Sequence, residues 1–133
     1  MRVFMLPQVT RLLRKERLPE TALCQTARDI VAGTFDAGEA DLGGGLFKKR
    51  VARPGGGKRG GYRMIVAYRP PGADRVLFAY AFAKNVASTL TPQGQAALST
   101  AAAAFLGAND RQVSALCDAG DIKEVKCDAK EPA

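Results

Sequence analysis

Leu46-Phe-Lys-Lys-Arg-Val-Ala-Arg53, Tyr62-Arg-Met-Ile-Val-Ala-Tyr-Arg69 and Arg75-Val-Leu-Phe-Ala-Tyr-Ala-Phe-Ala83 are runs rich in β-branched and aromatic residues, punctuated by glycine and proline. Such runs predict strands. The connections, Pro54–Gly61 and Pro70–Asp74, are short, and short connections join antiparallel neighbours. An antiparallel meander is therefore expected at the centre of the chain. Side chains alternate between the two faces of a strand. Tyr62, Met64, Val66 and Tyr68 fall on one face of the second run, and Arg63, Ile65, Ala67 and Arg69 on the other. In the third run Val76, Phe78, Tyr80 and Phe82 form the bulkier face. The bulky faces are expected to pack on helices, with Tyr62, Tyr68 and Tyr80 as core residues. The face bearing Arg63 is expected to stay open and basic.

Working outward, Arg2–Met5 reads as a short strand. Pro7 suits a first helical turn, followed by Val9, Leu12 and Leu13 at helical spacing. A second helix is expected over Pro19–Ala32, with Leu23, Ala27, Ile30 and Val31 on one face and Gly33 as its stop. Phe35–Gly45 reads as an acidic, then glycine-rich loop. Thr91-Pro92 signals a helix start, and Leu98, Ala102, Phe105 and Leu106 give that helix an apolar stripe. A further helix over Gln112–Ala119 and a terminal strand over Asp121–Val125 complete the pattern. The expected fold is α+β: a small antiparallel sheet, an N-terminal helical hairpin on one face, and C-terminal helices. One domain spans 1–126, and 127–133 is a frayed tail.

The 133 residues carry 20 basic and 13 acidic groups and no histidine. The excess lies in the middle: residues 42–109 hold ten cations and one acid. From Leu42 to Ala73 there are eight cations, Lys48, Lys49, Arg50, Arg53, Lys58, Arg59, Arg63 and Arg69, and no carboxylate. A solvated face ordinarily interleaves both signs. One sign concentrated on paired strands points instead to a polyanion, and a nucleic acid backbone is the expected one. The three cysteines, Cys24, Cys117 and Cys127, form no C-x-x-C pair and read as reduced thiols of a cytoplasmic protein. No apolar run approaches a membrane span, and the apolar start is too short for a signal peptide.

Gly55-x-Gly57-x-x-Gly60 matches a dinucleotide fingerprint in letters only, since it joins two strands and opens no helix. A phosphate-binding loop fails as well. Ala52 stands at its first glycine, and Arg59 follows Lys58 where Ser or Thr would hold magnesium. Asp36, Glu39 and Asp41 share one loop without carboxylates on the neighbouring strands, so no metal site or other cofactor is expected. Lys84 and Asn85 end the third strand, and antiparallel pairing is expected to bring them beside Arg63. Two cations and an amide around one spot suit a developing phosphorane charge.

Ala40-Asp-Leu-Gly-Gly-Gly-Leu-Phe-Lys-Lys-Arg-Val-Ala-Arg53, Gly57-Lys-Arg-Gly-Gly-Tyr-Arg63 and Phe78-x-Tyr-x-Phe-Ala-Lys-Asn85 resemble the RelE/ParE toxin superfamily, and most of all its HigB-like branch. The resemblance runs over residues 1–126. It implies the toxin of a type II toxin–antitoxin pair, which cleaves messenger RNA in the ribosomal A site by metal-independent attack of a 2′-hydroxyl. By the same resemblance Arg63 is the transition-state clamp and Lys84 the general acid or charge stabiliser. Lys49 and Arg50 are further catalytic candidates, and Lys48, Arg53, Lys58, Arg59 and Asn85 would hold RNA. Thr91 and Asn85 depart from the pattern, where some members carry a catalytic tyrosine and an arginine. The implied partner is a cognate antitoxin of helix-turn-helix, HigA-like type, with operator DNA reached only through that complex. The alternative is a ParE-like gyrase inhibitor or a plain basic nucleic-acid-binding module.

Overall fold

The computed structural model describes residues 1–32, 40–53, 57–69, 74–83 and 90–127. Along these the chain runs β1 (Arg2–Met5), α1 (Pro7–Lys15), α2 (Ala22–Ala32), β2 (Ala40–Gly43), β3 (Leu46–Arg53), β4 (Gly57–Ala67) and β5 (Arg75–Ala83). It ends with α3 (Pro92–Gly107), α4 (Asp110–Asp118) and β6 (Lys123–Val125). The sheet order is β2-β3-β4-β5-β1-β6. The meander β3-β4-β5 is antiparallel as the alternation predicts. The sheet as a whole is mixed, because β1 lies parallel to β5 and β6 antiparallel to β1. Parallel neighbours need a long crossover, and the chain between β1 and β5 provides one.

Several ends shift by two or three residues, α2 starting at Ala22 and β4 ending at Ala67 among them, and two larger differences bear on the central sheet. Ala40–Gly43, read as loop, is an edge strand paired with β3. Gly44 and Gly45 between them sit at φ 63° and 83°, the positive values that a two-residue hairpin turn needs at both centres. Gly45 is also held close: a Cβ there would lie 2.9 Å from Leu106 Cδ1. The second difference is that β4 begins at Gly57, already paired with Arg53. Lys58 and Arg59 thus belong to a strand backbone and not to the turn.

The helices start and stop where their end groups are satisfied. Thr91 Oγ1 accepts the Gly94 N–H at 3.0 Å to open α3. Asn109 and Gln112 exchange reciprocal bonds of 2.8 Å at the start of α4, a capping box. Gly120, at φ 79°, ends α4: its N–H donates to Cys117 O and that of Asp121 to Leu116 O. This Schellman pattern turns the chain into β6. Arg17 does the same for α1 at φ 56°, with the Leu18 N–H on Leu13 O at 2.8 Å.

The sheet is covered on both faces. Val9 and Leu13 of α1 and Leu23, Ala27 and Ile30 of α2 pack on Val3, Met5, Val51, Tyr62, Met64, Val66, Tyr68, Val76 and Phe78. Ala102 and Phe105 of α3 and Val113 of α4 pack on Phe4, Leu46, Ile65, Ala67 and Leu77. Phe4 meets Phe105 edge-on at 5.3 Å, a contact that contributes about 0.5–1.5 kcal/mol beyond its buried area. The expectation that the Arg63 face stays open is therefore corrected. The apolar stripe of α3 needs a surface to cover, and it takes the part of that face carrying Ile65 and Ala67.

A β-bulge overturns the assignment of β5. Ile65 pairs with Tyr80 but the next residue, Val66, pairs with Phe78, leaving Ala79 as the extra residue. One inserted residue flips all that follow to the other face. Val76 and Phe78 point to α1 and α2 as expected, whereas Tyr80 packs against the α3 side and Ala81 rejoins the α1 side.

The cysteines also depart from the reduced-thiol reading. Cys24 and Cys127 form a disulfide across 103 residues, their Cα atoms 5.5 Å apart, and Cys117 is free. Cys24 is a buried residue of α2, and the disulfide ties the chain just after β6 to that helix. Cys127, expected to begin a frayed tail, is thereby fixed. Among the described residues no helix is long and apolar enough to cross a membrane.

Candidate nucleic-acid interface

β3, β4 and β5 place their side chains in cross-strand rows. One row is Arg50, Arg63 and Phe82; the next is Lys48, Ile65 and Tyr80. Arg50 and Arg63 stand directly opposite each other and both are exposed, while Lys48 and Tyr80 are half-buried. Directly opposed like charges cost a sheet roughly 0.2–1 kcal/mol. Nearby carboxylates would relieve that cost. The ion pairs among the described residues are instead Arg2–Glu124, Arg75–Asp110 and Lys123–Glu20. Lys48, Arg50 and Arg63 take part in none of them.

Two guanidinium groups across one strand spacing can each present a planar fork of donors to the same anion. Phosphate oxygens match that fork. Phe82 closes the row on the β5 side and is 9% exposed, so it limits solvent on one flank of Arg63. Tyr80 lies 6.3 Å from Phe82, ring to ring. The result is a pair of exposed arginines with half-buried Lys48 one row away and aromatic residues on the β5 side, at the margin of the surface that α3 covers. A polymer backbone can lie along such a row, whereas a cleft of about 360 Å³ opens elsewhere, between α1 and the α4–β6 turn.

The other expected site residues are placed differently. Lys49 alternates to the opposite face of β3, is 2% exposed, and carries its Nζ 5.8 Å from the centre of the Tyr68 ring. The strand pleat separates it from Arg50 and Arg63. Arg69 is exposed just past the end of β4. Arg53, Lys58 and Arg59 occupy β3 and β4 by backbone, and their side chains lie outside the described residues, as do Lys84 and Asn85 altogether. The residue opposite Arg63 on β5 is Phe82; the expected approach of Lys84 and Asn85 to Arg63 falls outside the described residues.

Arg75, a cation not proposed for the site, is engaged structurally. Its Nη1 donates to Phe105 O at 2.9 Å and Ala108 O at 2.7 Å, tying the end of α3 to β5. Of the acidic loop, Asp41 uses its Oδ1 to accept the Gly43 N–H at 2.8 Å; Asp36 and Glu39 lie outside the described residues. Among the described residues no three of His, Cys, Asp and Glu gather as a metal ion would require.

Reading the sequence missed Phe82 and Tyr80 as members of this surface. Alternation counted from Val76 put both on the helix-covered side, and a single-residue bulge leaves no mark in apolar periodicity. The separation of Lys49 from Lys48 and Arg50 was accessible. Phe47 and Val51 flank Lys49 at two-residue spacing, which assigns it to their apolar face.

A family model described as RelE toxin of RelE / RelB toxin-antitoxin system matches residues 1–125 of the chain. No curated relative matches it.

Proposed function

The chain belongs to the RelE toxin family, and on that premise we propose that it arrests translation by cutting messenger RNA on the ribosome. The observation that carries this reading is the Arg50–Arg63 pair: opposed, exposed and in no ion pair among the described residues. In the proposed reaction the 2′-oxygen attacks the adjacent phosphorus and the bond to the 5′-oxygen breaks. A 2′,3′-cyclic phosphate and a 5′-hydroxyl result, the 2′-hydroxyl proton passing to solvent water and another reaching the 5′-oxygen.

Arg63 would grip the non-bridging oxygens as negative charge grows on them, with Arg50 opposite it as a second clamp. Removing one such donor typically lowers a rate by about 10²–10³. Lys48, one row away, would hold the neighbouring phosphate. Lys84, which directly follows β5 in sequence, is proposed as the proton donor to the leaving oxygen. An arginine cannot give up its proton near neutral pH, so the arginine pair serves charge and orientation. The proposed partner that silences this activity is the cognate antitoxin, of helix-turn-helix type.

The test adds purified protein to a translation reaction and maps RNA ends. Synthesis should stop and cut message appear, and Arg63→Ala and Lys84→Ala should each relieve growth arrest while the protein stays folded. Full inhibition with intact message would exclude cleavage, and loss of DNA supercoiling in its place would point to gyrase.

A further inference from the structure

Thr10, Arg11 and Arg14 lie on one face of α1 and form a wall of a 360 Å³ cleft. The opposite wall comes from the α4–β6 turn, with Cys117 and Lys123. Met5 and Ile122 make its floor, 0% and 5% exposed. Among the described residues, three cations and no carboxylate line this cleft. Lys123 is already committed to Glu20, at 2.5 Å. Arg11 and Arg14 are exposed and belong to none of the ion pairs among the described residues. A basic residue in a last helical turn, such as Arg14, gains from the helix dipole. Arg11 sits a turn earlier and gains little, and two arginines three residues apart repel. A cationic wall above an apolar floor fits a ligand that is acidic on its flanks and apolar in its middle.

We propose that this cleft receives an acidic segment of the cognate antitoxin, placing an apolar side chain over Ile122 at the floor and a carboxylate against each of Arg11 and Arg14. This rests on the toxin reading above for the identity of the partner. It adds a location: the cleft belongs to the β1–β6 side of the sheet, away from the Arg50–Arg63 row on β3 and β4. The partner is thus anchored by a surface that the toxic activity does not use. The cations favour an acidic ligand, and apolar Ile122 at the floor favours one that also carries an apolar side chain, as a peptide can and a phosphodiester backbone does not.

The experiment pairs growth assays with thiol labelling, using the protein with and without the product of its adjoining reading frame. Arg11→Glu combined with Arg14→Glu should still arrest growth but escape neutralisation, with affinity for the antitoxin lowered by about a hundredfold. Continued arrest shows that the variant folds; Arg11→Ala with Arg14→Ala serves as a milder pair and should also weaken rescue. In the wild-type complex, maleimide labelling of Cys117, the free thiol on the cleft wall, should be suppressed relative to the free toxin. Full rescue of the reversed variant, or equal labelling in complex and free protein, would overturn the docking proposal. Absence of arrest by the wild type would instead sink the toxin reading, and the labelling would still decide the docking site.

Discussion

Gln8 and Ala81 exchange two hydrogen bonds of 2.8 Å, the Gln8 amide donating to the Ala81 carbonyl and accepting the Ala81 N–H. The register explains why. β1 pairs with β5 only as far as Met5 opposite Phe78, and the Leu6 N–H makes the last backbone bond, to Phe78 O. Beyond that point the chain leaves for α1, and the outer edge of β5 would face no strand. The Gln8 side chain stands in for the missing peptide. It holds the segment just after the bulge, and so fixes where Phe82 and Tyr80 project.

Replacing Gln8 by Ala should therefore cost about 1–3 kcal/mol, because a part-buried donor and acceptor both lose their partner. Gln8→Glu should be similarly costly, since a carboxylate cannot donate to the Ala81 carbonyl. Thermal melts measure the loss, and faster amide exchange at Ala81 locates it. Melting curves indistinguishable from wild type would show that water satisfies Ala81 equally well.

Arg50→Glu separates stability from activity. Across from Arg63 a glutamate turns a repulsive cross-strand pair into an attractive one, a gain of roughly 0.2–1 kcal/mol. The same change should abolish growth arrest, because it neutralises the proposed phosphate clamp. A variant that melts higher yet fails to arrest growth meets both expectations. If it melts higher and arrests growth fully, the arginine row is merely a solvated surface.

What could be read in the chain was whatever depends on local pattern. β3 and β5 were legible to the residue, since their composition and bounding glycines and prolines are local. The Thr91-Pro92 start of α3 was equally plain. The role of α3 was not: the sequence of an apolar stripe does not say which face of a sheet it will cover. The bulge at Ala79 was hidden for a related reason, because β4 sets the register that creates it. Arg50 and Arg63 are legible as cations of neighbouring strands, whereas their direct opposition needs the register. The disulfide joins residues 103 positions apart, and no local signal pairs Cys24 with Cys127.

Acid should reveal one ion pair. Arg2 Nε and Nη2 donate to Glu124 Oε2 and Oε1 at 2.9 and 3.0 Å, and this contact holds the Glu124 carboxyl below its usual range. A carboxyl depressed in the folded state contributes stability above its unfolded pKa and loses it as pH falls through the folded value. The Arg2 side chain is 43% exposed, which limits the contribution to about 1 kcal/mol or less. Wild type and Glu124→Gln should therefore differ in melting temperature at neutral pH and converge below the ordinary glutamate pKa of about 4.3. A gap that persists unchanged into acid would assign the difference to packing.

The Cys24–Cys127 bond predicts where the molecule loosens on reduction. β6 is an edge strand of three residues, and its own ladder to β1 is too short to hold it firmly. Two further ties bind this end of the chain to the α2 region, the Lys123–Glu20 ion pair and the disulfide. The ion pair is exposed and weak, so the covalent tie should dominate. Closing a loop of this length restricts the unfolded chain, and losing the bond should cost about 2–5 kcal/mol. Denatured, unreduced protein should titrate one thiol, that of Cys117, since the other two cysteines are joined. Reduction or Cys127→Ser should then lower the melting temperature, and amide exchange should rise first at Lys123–Val125 and along α2. Protection at β6 that is indifferent to reductant would mean that its packing on β1, and not the cross-link, keeps the strand in place.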